Sequence, residues 1–190
     1  MNMKNAALFA MILGLVITVS SMESCSKSKT TTTPAATLYD TLGGTALVTD
    51  PKPPDGGPST IQAGRLTVRE VIDSTIFVIA ADDSINPYFA VLLSEVGAGN
   101  LSGFDSLSRN LTDFVSIAAG ATAYTYTGLS MHDAHNTATN PRISNEVSTN
   151  GFNEFINDVA KGATQVGASN MVIGQVAARL ETVESQVVQR

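Results

Sequence analysis

The apolar residues of this chain recur at helical spacing in four long stretches, all of which lie after residue 66. In each stretch they return every three or four residues, so one helix face is apolar and the other polar. The predicted apolar faces are Val68, Val71, Ile72, Ile76 and Ile79; Phe104, Leu107, Leu111, Phe114, Val115 and Ala118; Phe152, Phe155, Ile156, Val159, Ala163 and Val166; and Val172, Ile173, Val176, Leu180, Val183 and Val187. Thr67, in a capping box with Glu70, is predicted to begin the first of these helices. The pattern predicts an all-α domain.

The stretch between residues 37 and 66 departs from this pattern. Thr37 is placed to cap a short first helix that contains Leu38, Tyr39 and Leu42. Residues 45–66 are then rich in proline and glycine, and the segment 52–58 has the composition of turns. We expect an inserted loop or a small hairpin here, with residues 46–48 and Ile61 as short strand arms. Such an insertion is read as a surface elaboration.

The N-terminus has the features of an export signal. Lys4 lies in a short basic N-terminal segment. The apolar run that follows, from Ala6 to Val19, is shorter than a typical membrane-spanning helix. Cys25 comes just after this run, as in a bacterial lipoprotein signal, in which the cysteine is lipidated. We therefore expect a signal peptide at 1–24, a flexible polar tether at 25–36 and a domain at 37–190. The protein would be exported and lipid-anchored in the bacterial envelope, facing the periplasm. The alternative is an ordinary cleaved signal peptide, in which the thiol of Cys25 has no function.

Composition and charge narrow the classes of function. The net charge of −6 argues against binding to nucleic acid, whose phosphates require a basic surface. A single cysteine cannot form an intramolecular disulfide. The sequence has no phosphate-binding glycine loop, no zinc-type Cys/His cluster, and no acid–base or nucleophile–base spacing. A conventional enzyme is not expected.

Three motifs stand out in the order in which they occur. The chain has Leu-Tyr-Asp-Thr-Leu-Gly-Gly at 38–44, Ala-Asp-Asp-Ser-Ile-Asn-Pro-Tyr-Phe at 81–89, and Tyr-Thr-Gly-Leu-Ser-Met-His-Asp-Ala-His at 126–135. Together they resemble segments of the group I truncated haemoglobins. The opening of the third long helix, Val-Ser-x-x-x-Phe-x-x-Phe from Val147, also resembles a segment of that family.

The resemblance implies a truncated globin-like helical sandwich that binds haem b. It places His135 as the proximal iron ligand and leaves His132 near solvent or near a propionate. Taken alone, a single histidine on a helix is more often a surface or core residue. The ligand implied for the iron is a diatomic gas: oxygen, carbon monoxide or nitric oxide.

Other site residues follow from the resemblance position by position. Phe89 is placed against the haem plane and Met131 belongs to the histidine motif. Ile76 takes the place of a distal tyrosine. Leu107, Leu111 and Val115 form an aliphatic distal wall. Arg109 is either a propionate partner or a solvated helix charge, and the family's base often lies one position later, at Asn110. An alignment shift of one residue would bring in Thr75, Phe77, Asn110 or Thr112. The same apolar side chains also suit simple core packing.

Two functions from different classes remain open at this point. One is a haem protein that binds a diatomic gas. The other is a non-catalytic envelope lipoprotein that uses a globin fold as a binding or scaffold module, with haem as a cargo. The absorption spectrum of the purified protein distinguishes the two functions, because a haem protein has an intense Soret band.

Overall fold

The computed structural model describes residues 35–53 and 57–190. The predicted signal peptide, Cys25 and all but the last two residues of the predicted tether lie outside the described residues. The unit Ala35–Arg190 is mainly helical. Its elements in chain order are α1 (Leu38–Thr41), β1 (Leu47–Thr49), β2 (Thr60–Gln62), α2 (Ala63–Ala81), a 3-10 turn (Asn86–Phe89), α3 (Ala90–Gly97), α4 (Ser102–Ala118), α5 (Met131–His135), α6 (Thr149–Gln165), α7 (Asn170–Glu181) and α8 (Glu184–Val187).

Four long helices enclose the core. α2 packs against both α4 and α6, and α7 packs against the same two helices. Many of the apolar residues predicted from the spacing meet here, and Ile72 and Val159 are almost completely buried, whereas Val166 is 41% exposed. Tyr39 of α1 is also buried and is part of this cluster. The predicted all-α class is confirmed, with one small hairpin added.

The hairpin is the predicted insertion. β1 and β2 pair antiparallel with Val48 opposite Ile61, so the strand arms expected at these positions are present. The hairpin is fastened to α2 by Arg69, whose guanidinium bonds both carboxylate oxygens of Asp50 at 2.7 and 3.1 Å. This ion pair holds the pKa of Asp50 below its ordinary value.

The beginning of α2 differs from the prediction. The helix starts at Ala63, so the insertion ends at Gln62 rather than near residue 66. Thr67 therefore lies inside the helix, where its hydroxyl donates to the carbonyl of Ala63 at 3.1 Å instead of capping an end. The predicted capping box was wrong because residues 63–66 already continue the helical hydrogen-bond ladder. Thr37 does cap α1 as expected, and Ser148 caps α6 by accepting a hydrogen bond from the backbone N–H of Gly151.

Among the described residues, no single helix has both the length and the apolar character to cross a membrane. The pair formed by α2 and the segment Asn86–Gly97 meets those criteria together by length and composition only, and it is bent by 105°.

Candidate functional site

The histidine motif forms α5, a helix of five residues that is held at both ends by side chains. At its start, Ser130 accepts a hydrogen bond from the backbone N–H of Asp133 at 3.1 Å. At its end, Asn140 donates to the carbonyl of Ala134 at 2.7 Å, and Thr139 donates to that of Asp133 at 2.8 Å. An isolated helix this short is unstable in water. These caps explain how the segment keeps a defined shape.

The C-terminal end of the chain supports the same helix. The side-chain amide of Gln189 donates to the carbonyl of His132 at 2.9 Å, and its backbone N–H donates to the carbonyl of Val147 at 2.8 Å. α5 also packs against α8. The position of the histidine segment therefore depends on contacts with residues about fifty positions away in sequence.

The His135 ring has one nitrogen engaged and the other without a hydrogen-bond partner among the described residues. Nδ1 lies 2.7 Å from the carbonyl oxygen of Met131, and because a carbonyl can only accept, Nδ1 carries the proton. Burial lowers the pKa of His135 below 6.5, although the bond to Met131 acts in the opposite direction. The ring is thus neutral near pH 7, with the lone pair of Nε2 available. This is the state in which an imidazole binds a metal.

His135 borders a slot between α4 and α5 that has two adjoining lobes. The apolar lobe has a volume of about 90 Å³ and the polar-edged lobe about 250 Å³. Residues that line both are Phe89, Leu107, Leu111, Phe114, Met131, His135 and Ile143. The apolar lobe adds mainly aliphatic and aromatic side chains of α2, α6, α7 and α8. The other lobe adds the polar residues Ser106, Asn110, Tyr126, Asn140 and Arg142, together with Leu92, Gly103, Leu129 and Ala134. An apolar slot with a neutral imidazole on its wall fits what a haem group requires.

The amphipathic helix α4 turns its apolar stripe toward this slot. Leu107, Leu111 and Phe114 contact the core but stay only partly buried. On another face of the same helix, Thr112 and Ser116 are 1% and 0% exposed, and their hydroxyls have no hydrogen-bond partner in the described structure. A helix in a soluble protein usually buries its apolar stripe most deeply. The stripe of α4 is instead left available to an apolar group in the slot.

The structure brings together five of the predicted site residues. Phe89, Leu107, Leu111, Met131 and His135 all line the slot.

Three others lie elsewhere. Ile76 and Val115 belong to the core cluster, at 6% and 5% exposed. Arg109 is exposed and borders a separate groove beside the hairpin. These three residues do not line the slot, and for the two on α4 the helix geometry gives the reason. At 100° per residue, Val115 is rotated by about 80° from Leu107, and Arg109 by about 160°.

Tyr126 also lines the polar-edged lobe, although its motif assigns it no role. Its hydroxyl donates to the carbonyl of Leu129 at 2.7 Å, and its ring meets Phe114 edge-on at 6.1 Å. Burial raises the pKa of this phenol. The ring folds over Gly128, where a Cβ would lie 2.5 Å from the Tyr126 hydroxyl. The Tyr-x-Gly spacing therefore serves this fold-back, and any residue larger than glycine would push the tyrosine away.

Arg142 and Ile143 were missed entirely. They lie in the irregular segment after α5, where no periodic pattern or motif marks a residue as facing inward. No signal in a single sequence would have found them.

Comparison with known proteins agrees with this arrangement at the level of the fold. The sequence matches no protein-family model and no curated protein. The fold matches solved structures, three of which are Fe(III) forms of variants of the truncated haemoglobin from Tetrahymena pyriformis. For each, the TM-score is 0.56 at 17% sequence identity, and the match covers 82% of this chain and 100% of the other. At this identity the likeness shows the fold alone.

The protein thus has a truncated globin-like fold, elaborated by a hairpin between its first two helices. The fold predicted from the three motifs is confirmed.

Proposed function

We propose that this chain binds haem through His135 and takes up a diatomic gas (oxygen, carbon monoxide or nitric oxide) in the adjoining slot. The observation that carries the proposal is the His135 ring: neutral through burial, fixed by the Met131 carbonyl, and with Nε2 unengaged at an apolar slot. The truncated globin-like fold supports it, because the matched structures are named as haemoglobins.

Each part of the slot has a distinct task in this proposal. Haem, when bound, would supply an iron that binds a gas ligand. His135 offers its Nε2 lone pair, and the hydrogen bond from Nδ1–H to Met131 fixes the ring orientation and increases its basicity. Leu107, Leu111 and Phe114 provide an apolar surface that excludes water from the slot. The caps on α5 hold the histidine in place.

We infer a binding protein rather than a conventional enzyme. The hydroxyl groups that line the slot are engaged in structural hydrogen bonds. The Tyr88 hydroxyl lies 3.1 Å from that of Ser148, and this contact lowers the pKa of Tyr88. The Tyr126 hydroxyl donates to a backbone carbonyl. Neither is paired with a base in the way that a nucleophile or a general acid would be.

Two histidine variants test the proposal. Purified protein titrated with ferric haem is expected to give an intense Soret band, and His135→Ala should lose stable haem binding. His132→Ala is the matched control, because His132 lies on the same short helix with a side chain 62% exposed, next to Asp133. Equal haem retention in the two variants would contradict the ligand assignment. A protein that stays colourless with excess haem would contradict the function and favour the scaffold alternative.

We also propose that Cys25 anchors the protein to a bacterial envelope membrane. The apolar run Ala6–Val19 and the polar segment after Cys25 support this. Several acyl chains make attachment durable, whereas a single chain binds only marginally. Cys25→Ser should move the protein from the membrane fraction to the soluble fraction. A wild-type protein that is already soluble would contradict the proposal.

A further inference from the structure

The polar-edged lobe of the slot has a cation at its edge. Among the residues that line the two lobes, all within the described part of the chain, Arg142 alone carries a full positive charge. It lies just after the turn that ends α5, where its backbone N–H donates to the side-chain oxygen of Asn140 at 3.1 Å. The loop that caps the histidine helix therefore also sets the position of this arginine.

Glu95 of α3 fixes the guanidinium at this edge. Nη2 of Arg142 lies 3.2 Å from Oε1 of Glu95, and the two side chains are 44% and 22% exposed. The second oxygen of Glu95, Oε2, is buried and has no hydrogen-bond partner in the described structure. Since a guanidinium has five N–H donors, the single contact with Glu95 leaves several of them for another anion.

The Arg142–Glu95 pair packs against α4 at Gly103, the one glycine of that helix. A Cβ on Gly103 would lie 2.2 Å from Glu95 Oε2 and 2.9 Å from Arg142 Nη1. α4 contributes Gly103, Leu107, Leu111 and Phe114 to the slot walls. The arginine thus lies at the N-terminal end of the wall of α4 that faces the slot.

We propose that Arg142, positioned by Glu95 against Gly103, binds a propionate carboxylate of haem. This inference rests on the proposed haem binding at His135. The apolar lobe suits the hydrocarbon edge of the porphyrin, and the polar-edged lobe suits its two carboxylates. Asn110 lines the same lobe but is neutral, and Arg109 borders the separate groove beside the hairpin. In this proposal Arg142 is the basic residue that contacts the propionate, whereas the resemblance placed that residue on α4, at Arg109 or Asn110.

The expected effect is modest, because Arg142 is partly exposed. Salt bridges near the surface contribute little, and charge-assisted hydrogen bonds contribute more. Arg142→Gln should weaken haem binding by roughly three- to tenfold at low ionic strength. Arg142→Lys keeps the charge but loses the planar fork, so it should restore part of the affinity. The differences should shrink in about 1 M salt, where the screening length falls to about 3 Å.

A comparison of two ligands isolates the carboxylate contact. The full-length protein and its Arg142→Gln, Arg142→Lys and Arg109→Gln variants are titrated with haem and with haem dimethyl ester, whose propionates are uncharged. The inference predicts that Arg142→Gln weakens haem binding and leaves ester binding unchanged. Arg109→Gln, the matched control on the other face of α4, should change neither. Circular dichroism confirms that each variant is folded.

The outcomes separate this inference from the function on which it rests. Equal weakening of both ligands by Arg142→Gln, or an equal effect of Arg109→Gln on haem binding, would overturn the role of Arg142 while His135 remains the ligand. Haem binding that does not depend on His135 would instead overturn the proposed function.

Discussion

The wall that α4 presents to the slot predicts weak retention of oxygen relative to carbon monoxide. Bound oxygen acquires partial negative charge and is stabilised by a hydrogen-bond donor, whereas carbon monoxide is much less polarised. Leu107, Leu111 and Phe114 offer no donor. Two nearby hydroxyl groups already take part in hydrogen bonds within the protein. The Thr75 hydroxyl donates to the carbonyl of Val71 at 2.8 Å, and the Tyr88 hydroxyl is paired with that of Ser148.

The perturbation that tests this is Leu111→Gln. Leu111 is partly buried and lines both lobes, so an amide of similar length fits there without displacing a packed core residue. A hydrogen bond to a charged group contributes about 1.5–3 kcal/mol. At about 1.4 kcal/mol per factor of ten, the added donor should slow oxygen release by roughly tenfold to more than a hundredfold. Carbon monoxide release should change far less.

Asn110 provides the matched control, because it is the amide of α4 that borders the polar-edged lobe. Asn110→Leu should leave oxygen release unchanged if this side chain makes no contact with the gas. Stopped-flow displacement of oxygen by carbon monoxide gives the dissociation rates, and autoxidation gives an independent check. Slow oxygen release in the wild type that is unchanged in Leu111→Gln but lost in Asn110→Leu would refute the reasoning. Asn110 would then be the donor.

Two further predictions concern the protein without haem. Asp50→Asn should lower the free energy of unfolding by about 1.5–3 kcal/mol in urea titrations, because it leaves Arg69 partly buried without its carboxylate. Lys52→Gln, which removes an exposed partner 3.9 Å from Asp73, should cost less than about 0.5 kcal/mol; equal losses would contradict the assignment. Since burial lowers the pKa of His135, the unfolded chain takes up a proton near pH 6.5 while the folded one resists. Stability should therefore fall as pH drops below 6.5 until the folded ring also titrates. Urea midpoints against pH should show this slope in the wild type and lose it in His135→Ala.

Sequence reasoning located the parts of the fold that follow from local rules. Helical spacing identified the core positions Ile72 and Val159, because those faces pack against other helices of the same domain. The segment with Tyr126 and His135 was located by its resemblance to a family motif, and the Tyr126–Gly128 fold-back and the Ser130 cap lie within that stretch. Its placement against α8 and Gln189 depends on distant residues, and the motif alone does not predict it.

The errors arose where a position depends on small rotations or on distant partners. Val115 follows Leu111 by four residues, but each such step adds about 40° of rotation, and this carries Val115 from the slot into the core. The face of α4 on which Arg109 lies depends on the rotation of the helix about its axis, which the sequence did not determine. Arg142 depends on a contact with Glu95, which lies 47 positions earlier in the chain. Nothing in the spacing of residues encodes such a pair.

The two faces of α4 are unusual for a helix that serves only to stabilise the fold. Unpaired buried hydroxyls such as those of Thr112 and Ser116 cost free energy, whereas a partly exposed Leu111 gains less than it would in a closed core. A sequence selected only for folding would exchange these two faces, with apolar side chains against the core and hydroxyls toward the opening. The reversed arrangement becomes favourable if an apolar group fills the slot, since binding then buries the stripe and stabilises the folded chain by mass action. Natural sequences break local rules of this kind chiefly at functional sites. The arrangement of α4 therefore supports the proposal that a ligand covers the stripe, and His135 on the same slot is the residue that the proposed haem would use.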